Sequence, residues 1–211
     1  MAITVHPDLS VEVVAPTTAR ESAILDRVKR RARWILSQQR QFLSWMPKTS
    51  RRQFRGGETH RYLGSQYRLK VIKDEQPGVR LRGGFLEVRT PGPSDRQVVK
   101  KAVTGWYRNH ARERFDRQLQ EAYARMRAYD LPKPRLRLLH MSKRWGSCTT
   151  SGEVILNPEL IKAPSVCIEY VIVHELCHLR HPNHNRAFFE MLEAVLPDWR
   201  QRKDRLERVE I

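Results

Sequence analysis

The chain has 211 residues, of which 40% are hydrophobic, so it can bury one substantial core and is not a wholly disordered protein. Its 40 Lys and Arg residues outnumber its 23 Asp and Glu residues, which gives a formal net charge of +17. This excess favours polyanionic partners such as nucleic acid or nucleotides, although basic residues that only solvate helix faces would give the same charge.

The remaining composition argues against membranes and disulfides. No stretch approaches the roughly 20 consecutive apolar residues that a membrane span needs, so no membrane partner is expected. The first 16 residues lack the basic and apolar regions of a secretion signal. The 3 cysteines are too sparse, and odd in number, for a disulfide framework. These features together predict a cytoplasmic protein.

The N-terminal part of the chain divides into an extension and a helix. Residues 1–18 show no periodic pattern and are expected to form an N-terminal extension. Over residues 19–45 apolar side chains recur at helical spacing and Pro47 ends the run, which predicts one amphipathic helix. We expect residues 19–211 to form a single domain, whose first part, 19–93, combines this helix with antiparallel strands.

A small sheet is predicted next. Alternating apolar and polar residues begin near Arg61 and continue to Val88. Gly64, the Pro77-Gly78 pair and the Gly83-Gly84 pair interrupt the alternation, and such residues mark turns. Three or four short antiparallel strands are therefore expected.

The second part of the domain, residues 94–211, is expected to be helical and to carry the functional site. Ser94 and Gln97 form a candidate capping box for a long helix that reaches about Tyr129. Two apolar segments within residues 135–161, joined by a Thr-Thr-Ser-Gly turn, predict a β-hairpin.

A further helix ends in the sequence HELCHLRHPNH, the most informative segment of the chain. Ser165 is a natural N-cap for this helix, and Pro182 ends it because a proline disfavours a helical conformation of the residue before it. Asn183 or Asn185 is placed to cap a last, amphipathic helix.

The HELCHLRHPNH segment predicts a metal centre. His174 and His178 are four residues apart, so they share one helix face and can bind one metal ion. Glu175 lies beside the first ligand, where a carboxylate can take a proton from a metal-bound water. A third neutral ligand would leave the fourth position open for that water, as catalytic zinc sites require. The pattern predicts a hydrolase with Zn²⁺, or another divalent metal, as cofactor.

The third ligand has to come from the residues after this helix. His181 would share the face of the first histidine only if the helix continued through Pro182, which the proline discourages. A turn at Pro182 can instead return His184, the ligand that we expect, to the metal. Glu190 and Glu193 are the fallback, since some zincins take a glutamate from the following helix.

The ligand spacing equals that of the metzincin proteases, but the match is incomplete. His181 replaces their usual glycine in the turn, and Met191 lies inside a predicted helix rather than in a separate downstream Met-turn. Membership of that class is therefore excluded.

A set of short motifs runs in order along the chain. They are Gly57-Glu58, Tyr62-Leu63-Gly64, Trp106-Tyr107, Trp145-Gly146-Ser147-Cys148, Leu156-Asn157, the HELCHLRHPNH helix and Pro197-Asp198-Trp199. Together they resemble the YgjP-like metallopeptidase-domain family, which is related to the SprT and WLM zinc proteases. The likeness covers roughly residues 25–205.

This resemblance implies an α+β fold with a zincin-like metallopeptidase core. The core would have an N-terminal helix, a small antiparallel sheet, the HExxH helix and a C-terminal amphipathic helix. The resemblance also implies a metal held by residues that match His174, His178 and His184, and a catalytic glutamate that matches Glu175. Related groups act as proteases, some of them on DNA-bound proteins. Members of the family itself have also been connected with hydrolysis of nucleoside triphosphates to monophosphate and pyrophosphate.

Residues near the expected metal are candidates for contacting the substrate. The segment Trp145–Cys148 can form an edge strand to which an extended peptide adds as a further strand, although Trp145 can equally pack in the core. Arg144, His181 and Tyr170 are candidates to stabilise an oxyanion. Arg144, Trp145 and His181 are the predicted substrate-binding residues.

Three functions are compatible with these features. The first is a zinc metallopeptidase, recruited to nucleic acid or to nucleic-acid-bound proteins by its basic surface. The alternative is a metal-dependent nucleoside triphosphate pyrophosphatase for a UTP-like substrate, whose phosphates Arg55, Arg61 or Arg144 would hold. The third is a nucleic-acid-binding module with a structural zinc, against which a glutamate placed for base catalysis argues.

Overall fold

The computed structural model describes residues 2–6, 9–44, 52–92, 95–142, 144–149 and 151–209. Contacts divide the chain into two compact units, residues 1–50 and residues 51–209. The mixture of helices and small sheets confirms the predicted α+β class. A single domain over residues 19–211 stays a prediction.

The first unit begins with a β-hairpin. Strands β1 (Ala2–Val5) and β2 (Val11–Val14) are antiparallel, with Ile3 opposite Val13. The predicted N-terminal extension, residues 1–18, therefore contains regular secondary structure, and its status as an extension stays a prediction. Each strand has 4 residues, which is too short for an alternating pattern to stand out in the sequence.

Two helices replace the single helix that was expected over residues 19–45. Helix α1 (Glu21–Arg30) is followed by Arg31, whose φ of −96° and ψ of 3° lie outside the helical region. Helix α2 (Ala32–Ser44) begins at the next residue. No glycine or proline marks this break, so the apolar spacing could not reveal it. The predicted helix end at Pro47 lies outside the described residues.

The second unit begins with a four-stranded sheet. Its strands are β3 (Thr59–Tyr62), β4 (Ser65–Lys73), β5 (Gly78–Arg82) and β6 (Phe85–Thr90), arranged in the order β3-β4-β6-β5. The two hairpins are antiparallel as predicted, but β4 and β6 are parallel neighbours, with Leu69 opposite Leu86. A purely antiparallel sheet was wrong because alternation indicates which face of a strand is buried, not the direction of its neighbour.

Helix α3 (Arg96–Arg125) is the longest element of the described chain. Asp95 caps it, because its Oδ1 accepts a hydrogen bond from the backbone N–H of Gln97 at 3.0 Å. Ser94, the predicted capping residue, lies outside the described residues. The helix ends earlier than expected, since a short 3₁₀ helix (Arg127–Tyr129) follows it.

A three-stranded sheet comes next. Strands β7 (Arg135–Leu138), β8 (Gly146–Cys148) and β9 (Glu153–Leu156) lie in the order β7-β9-β8. The predicted hairpin had the wrong first arm: β8 is the antiparallel partner of β9, whereas β7 runs parallel to it. The turn itself lies where it was expected, with Gly152 at a φ of 86°. A strand of 3 residues gives no readable alternation.

The C-terminal part is helical. A 3₁₀ helix (Pro158–Lys162) leads into α4 (Ser165–His178), which α5 (Arg186–Val195) and α6 (Trp199–Glu207) follow. None of the described helices is both long and apolar enough to cross a membrane.

Side-chain hydrogen bonds connect α3 to Ser165 at the start of α4. This residue is the first of α4 and makes no capping bond, so its prediction as N-cap was wrong. Its Oγ instead accepts hydrogen bonds from Arg114 Nη2 at 2.6 Å and from Gln118 Nε2 at 3.1 Å. Further along, the Glu169 carboxylate pairs with Arg125. Helix α4 therefore runs alongside α3 in the same direction, and its last turn lies toward the C-terminal end of α3.

Candidate metal centre

Three histidines turn their Nε2 atoms toward one point. His174 Nε2 lies 3.2 Å from His178 Nε2 and 3.0 Å from His184 Nε2. The ligand atoms of all three lie within 4.8 Å of one another. The structure thus brings together the three residues that the sequence predicts as metal ligands.

The loop after α4 returns His184 to the other two histidines. Helix α4 ends at His178, and the chain passes through Pro182, which lines the cavity in front of the site. Asn185 then caps α5, because its Oδ1 accepts a hydrogen bond from the backbone N–H of Phe188 at 2.9 Å. Since Asn185 directly follows His184, this cap holds the third histidine in position.

Phe188 supports all three imidazole rings from within the protein. Its ring centroid lies 5.0 Å from that of His174, 4.6 Å from that of His178 and 4.7 Å from that of His184. The side chain is completely buried. The sequence pattern marks Phe188 as part of an apolar helix face, which gives no indication of this positioning role.

Two features of the histidines suit metal binding. Burial, together with the charges of His178 and His184, lowers the pKa of His174 to about 3, so its ring is neutral at neutral pH. His178 Nδ1 donates a hydrogen bond to the carbonyl oxygen of His181 at 3.1 Å. In the neutral tautomer this leaves His178 Nε2 free of hydrogen and able to bind a metal.

The spacing of the nitrogens also fits a metal ion. Zinc–nitrogen bonds of about 2.0–2.1 Å in tetrahedral geometry place two ligand nitrogens about 3.3 Å apart. The observed separations from His174 Nε2, 3.2 Å and 3.0 Å, are close to this value. The donor set therefore fits a divalent metal such as Zn²⁺ with one position left for a further ligand.

Glu175 lies beside this group on α4 and is 6% exposed. Burial raises the pKa of its carboxyl to about 7, and the positive charge of Arg144 partly opposes the rise. A β-carbon at position 146 would lie 2.6 Å from Glu175 Oε1 and 2.8 Å from its Cγ, so the missing side chain of Gly146 makes room for the carboxylate. The result is an acid that can gain and lose a proton near neutral pH.

A cavity of about 400 Å³ opens in front of the histidines and Glu175. Strand β8 and the preceding Arg144 line one side of it. Of the predicted substrate-binding residues in the described chain, Arg144 lines this cavity, whereas Trp145 and His181 do not. Trp145 is half-buried against the hydrophobic core, and His181 contributes its carbonyl group to His178. A role for either side chain in substrate binding stays a prediction.

Tyr170, a predicted oxyanion candidate, and Cys148, the last residue of the Trp145–Cys148 segment, also lie near the histidines. The ring of Tyr170 packs edge-on against His174 with centroids 5.8 Å apart, and the residue is buried. Cys148 lines the cavity, but burial and the nearby Glu175 raise the pKa of its thiol to about 11. Among the described residues, Cys148 does not belong to the group of side chains that could hold a metal.

The fallback ligands are engaged elsewhere. Glu190 Oε1 pairs with Arg186 Nε at 2.6 Å, and Glu193 Oε1 pairs with Arg200 Nη1 at 2.8 Å. Among the described residues, neither belongs to the group that could hold a metal.

Asn157 organises the chain that leads into the cavity wall. Its Nδ2 donates hydrogen bonds to the carbonyl oxygens of Met141 at 2.8 Å and of Arg144 at 3.4 Å. Its backbone N–H donates to the carbonyl oxygen of Trp145 at 2.9 Å. The residue is 4% exposed. The sequence marks Leu156-Asn157 as a motif, but the residues that Asn157 contacts could not be read from it.

Comparisons with known proteins identify the family of this chain. A family model described as "YgjP-like, metallopeptidase domain" matches residues 1–209. Among solved structures, the crystal structure of the metallopeptidase zymogen of Pyrococcus abyssi abylysin is similar, with a TM-score of 0.39 and 22% identity over 44% of this chain and 90% of that chain. No curated protein shows a significant match. Because the family model spans nearly the whole sequence, this chain belongs to the YgjP-like metallopeptidase-domain family.

Proposed function

We propose that this protein is a zinc-dependent peptidase in which His174, His178 and His184 hold the metal and Glu175 is the proton acceptor. The observation that carries the proposal is the buried Glu175 carboxylate, which the side-chain-free Gly146 admits beside three converging imidazoles. A carboxyl with a pKa of about 7 next to a candidate metal centre is suited to acid–base work at neutral pH.

The residues of the cavity divide the chemistry among them. When bound here, a divalent metal would lower the pKa of water and polarise the scissile carbonyl. Glu175 accepts the proton of the attacking water and returns it to the leaving amine. Arg144 lines the same cavity, where its guanidinium can donate hydrogen bonds to a developing oxyanion. Phe188 holds the imidazoles in place from behind.

The cavity wall favours a peptide as substrate. Strand β8 is an edge strand of its sheet in the described part of the chain, and all three of its residues, Gly146–Cys148, line the cavity. An extended peptide can pair with such an edge through main-chain hydrogen bonds. This pairing would place a peptide carbonyl in front of Glu175.

The alternative pyrophosphatase reaction receives less support. Of the three arginines expected to hold phosphates, only Arg144 is among the described residues that line the cavity. Arg55 lines a different cavity, and Arg61 lies on β3, where its carbonyl oxygen accepts a hydrogen bond from Tyr107. A single arginine is a poor match for a triphosphate, whose charge is usually met by several cations or by a metal together with a phosphate-binding loop.

The reaction class can be tested with one set of incubations. The zinc-loaded protein is given a casein-derived peptide mixture, UTP or labelled DNA, each with and without prior chelation of the metal. We expect peptide cleavage that is lost on chelation and restored by zinc, while UTP and DNA stay intact. Release of UMP and pyrophosphate that requires zinc and Glu175, with peptides uncleaved, would establish the alternative instead. The requirement for Glu175 is tested with Glu175→Gln. Glu190→Gln, which removes an exposed carboxylate on α5, is the control for a nonspecific effect of losing one negative charge.

A further inference from the structure

A second cavity, of about 540 Å³, lies in the second unit between the segment before β3 and the first turns of α3. Four of its lining residues are cations and none is acidic; they are Arg52, Arg55, Arg96 and Lys100. We call this the basic cavity. It shares no lining residue with the cavity of the metal centre.

Among the described residues, the cations of the basic cavity have no acidic partner. In the described part of the chain, Arg55, Arg96 and Lys100 form no ion pair, although many other arginines do, such as Arg89 with Asp74 at 2.9 Å. Arg52 donates one N–H to the carbonyl oxygen of Thr59 at 2.6 Å, which leaves most of its donors available. Like charges gathered without counterions repel one another, and a bound anion relieves that repulsion.

The segment that carries two of these cations is held in place without a ligand. The Glu58 carboxylate accepts hydrogen bonds from the backbone N–H groups of Gln53 at 3.2 Å, Phe54 at 2.6 Å and Arg55 at 3.3 Å. Phe54 adopts a φ of 55°, a conformation that non-glycine residues rarely take. The two carboxylates nearest in sequence, Glu58 and Asp95, are both occupied by backbone N–H groups. In the described part of the chain, neither carboxylate forms an ion pair with Arg52, Arg55 or Arg96.

The basic cavity is far from the metal centre. Lys100 and Arg125 are separated by most of the length of α3, roughly 35 Å at about 1.5 Å per residue. Arg125 contacts Glu169 on α4, and the metal-ligand histidines lie further in the same direction. A single nucleotide is too short to contact both places, so the basic cavity is not a phosphate subsite of the hydrolytic centre.

We propose that the basic cavity binds backbone phosphates of a nucleic-acid strand. Four cations around an open cavity exceed the charge of one phosphate and suit several successive phosphates. The net charge of +17 would draw a long polyanion more strongly than a small one. This inference does not depend on the hydrolytic reaction, because the two cavities are separate.

Fluorescence anisotropy with a labelled oligo-thymidylate of about 20 nucleotides tests the proposal at about 0.1 M salt. Each lost phosphate contact weakens binding to a single strand about fivefold at this salt concentration. We expect Arg55→Gln/Lys100→Gln to weaken binding roughly 25-fold and to reduce the log–log salt slope by about 1.4. The matched control is Arg108→Gln/Arg112→Gln, which removes two exposed cations of α3 that line neither cavity; we expect a loss below about threefold.

Three outcomes would overturn the proposal. They are unchanged binding by the cavity variant, equal losses in both double variants, and binding of inorganic triphosphate as tight as that of the oligonucleotide. The single variant Arg96→Gln gives a second line of evidence, with an expected loss of about fivefold. Thermal melting of each variant checks the fold. Peptide hydrolysis by Arg55→Gln/Lys100→Gln should stay at the wild-type rate, which separates failure of this proposal from failure of the hydrolytic one.

Discussion

Gly146 and Glu175 are in such close contact that a β-carbon at position 146 would lie 2.6 Å from Glu175 Oε1. Gly146 begins the edge strand β8, and Glu175 lies beside the first metal-ligand candidate on α4. The contact explains why a glycine in one motif and a glutamate in another belong to the same site. It also removes the carboxylate from water, which raises its pKa.

Gly146→Ala should abolish most of the hydrolytic activity while leaving the metal bound. The added methyl group displaces the Glu175 carboxylate, and a misplacement of about 1 Å can cost roughly 100-fold in rate. Peptide hydrolysis at equal zinc content measures the effect. Gly105→Ala is the control, because nothing lies within 4 Å of its would-be β-carbon on α3. Full activity of Gly146→Ala would contradict the assigned role of the contact.

His184→Ala and His181→Ala should differ sharply in zinc affinity. His184 offers its Nε2 to the centre, whereas His181 contributes only a backbone carbonyl that alanine keeps. We expect His184→Ala to weaken zinc binding by more than about 100-fold, beyond the effect of losing an outer-shell partner, and His181→Ala to change it little. Competition with a chromophoric chelator gives both affinities. Similar losses in the two variants would show that the third ligand is misassigned.

Acid should destabilise the fold through His60, which is 1% exposed and whose ring nitrogens have no hydrogen-bond partner in the described part of the chain. Burial, and then the charges of Arg52 and Lys162, lower its pKa from 6.5 to about 4. Between these values the unfolded chain binds a proton that the folded protein does not. The free energy of unfolding therefore decreases as the pH is lowered, by about 2 kcal/mol from pH 7 to pH 4.5.

Urea unfolding of metal-free protein at both pH values tests this expectation against His60→Phe. The variant should lose less stability in acid, because phenylalanine does not titrate and fits beside Phe54 and Tyr107, whose rings already contact His60. His174 titrates in the same direction in both proteins, so the difference between them isolates His60. Parallel pH profiles for the two proteins would rule out His60 as the source.

The convergence of the three candidate ligands, His174, His178 and His184, was predictable because it depends on local geometry. Two histidines four residues apart share a helix face in any helix, and Pro182 ends the helical conformation before His184. Strand direction was not predictable in the same way. The parallel pairs β4/β6 and β7/β9 join segments distant in sequence, and alternation carries no information about which way a neighbour runs.

The roles of the residues that support the site could not be predicted from the sequence for a related reason. Phe188 and Asn157 belong to ordinary helix and turn patterns, and their roles arise from contacts with distant parts of the chain. Gly146 could be named from its motif, but its contact with Glu175 required the packing of β8 against α4. The cytoplasmic location inferred from composition stays a prediction.

The most direct test of the central claim compares peptide hydrolysis by wild-type protein and Glu175→Gln at equal zinc content. Glutamine keeps the size of the side chain and leaves the three histidines intact, but it cannot accept a proton. We predict unchanged zinc affinity and a kcat lower by about 100- to 10,000-fold, the range typical of a lost general base. Glu190→Gln should retain the wild-type rate. A Glu175→Gln protein that binds zinc and cleaves peptides at the wild-type rate would contradict the account.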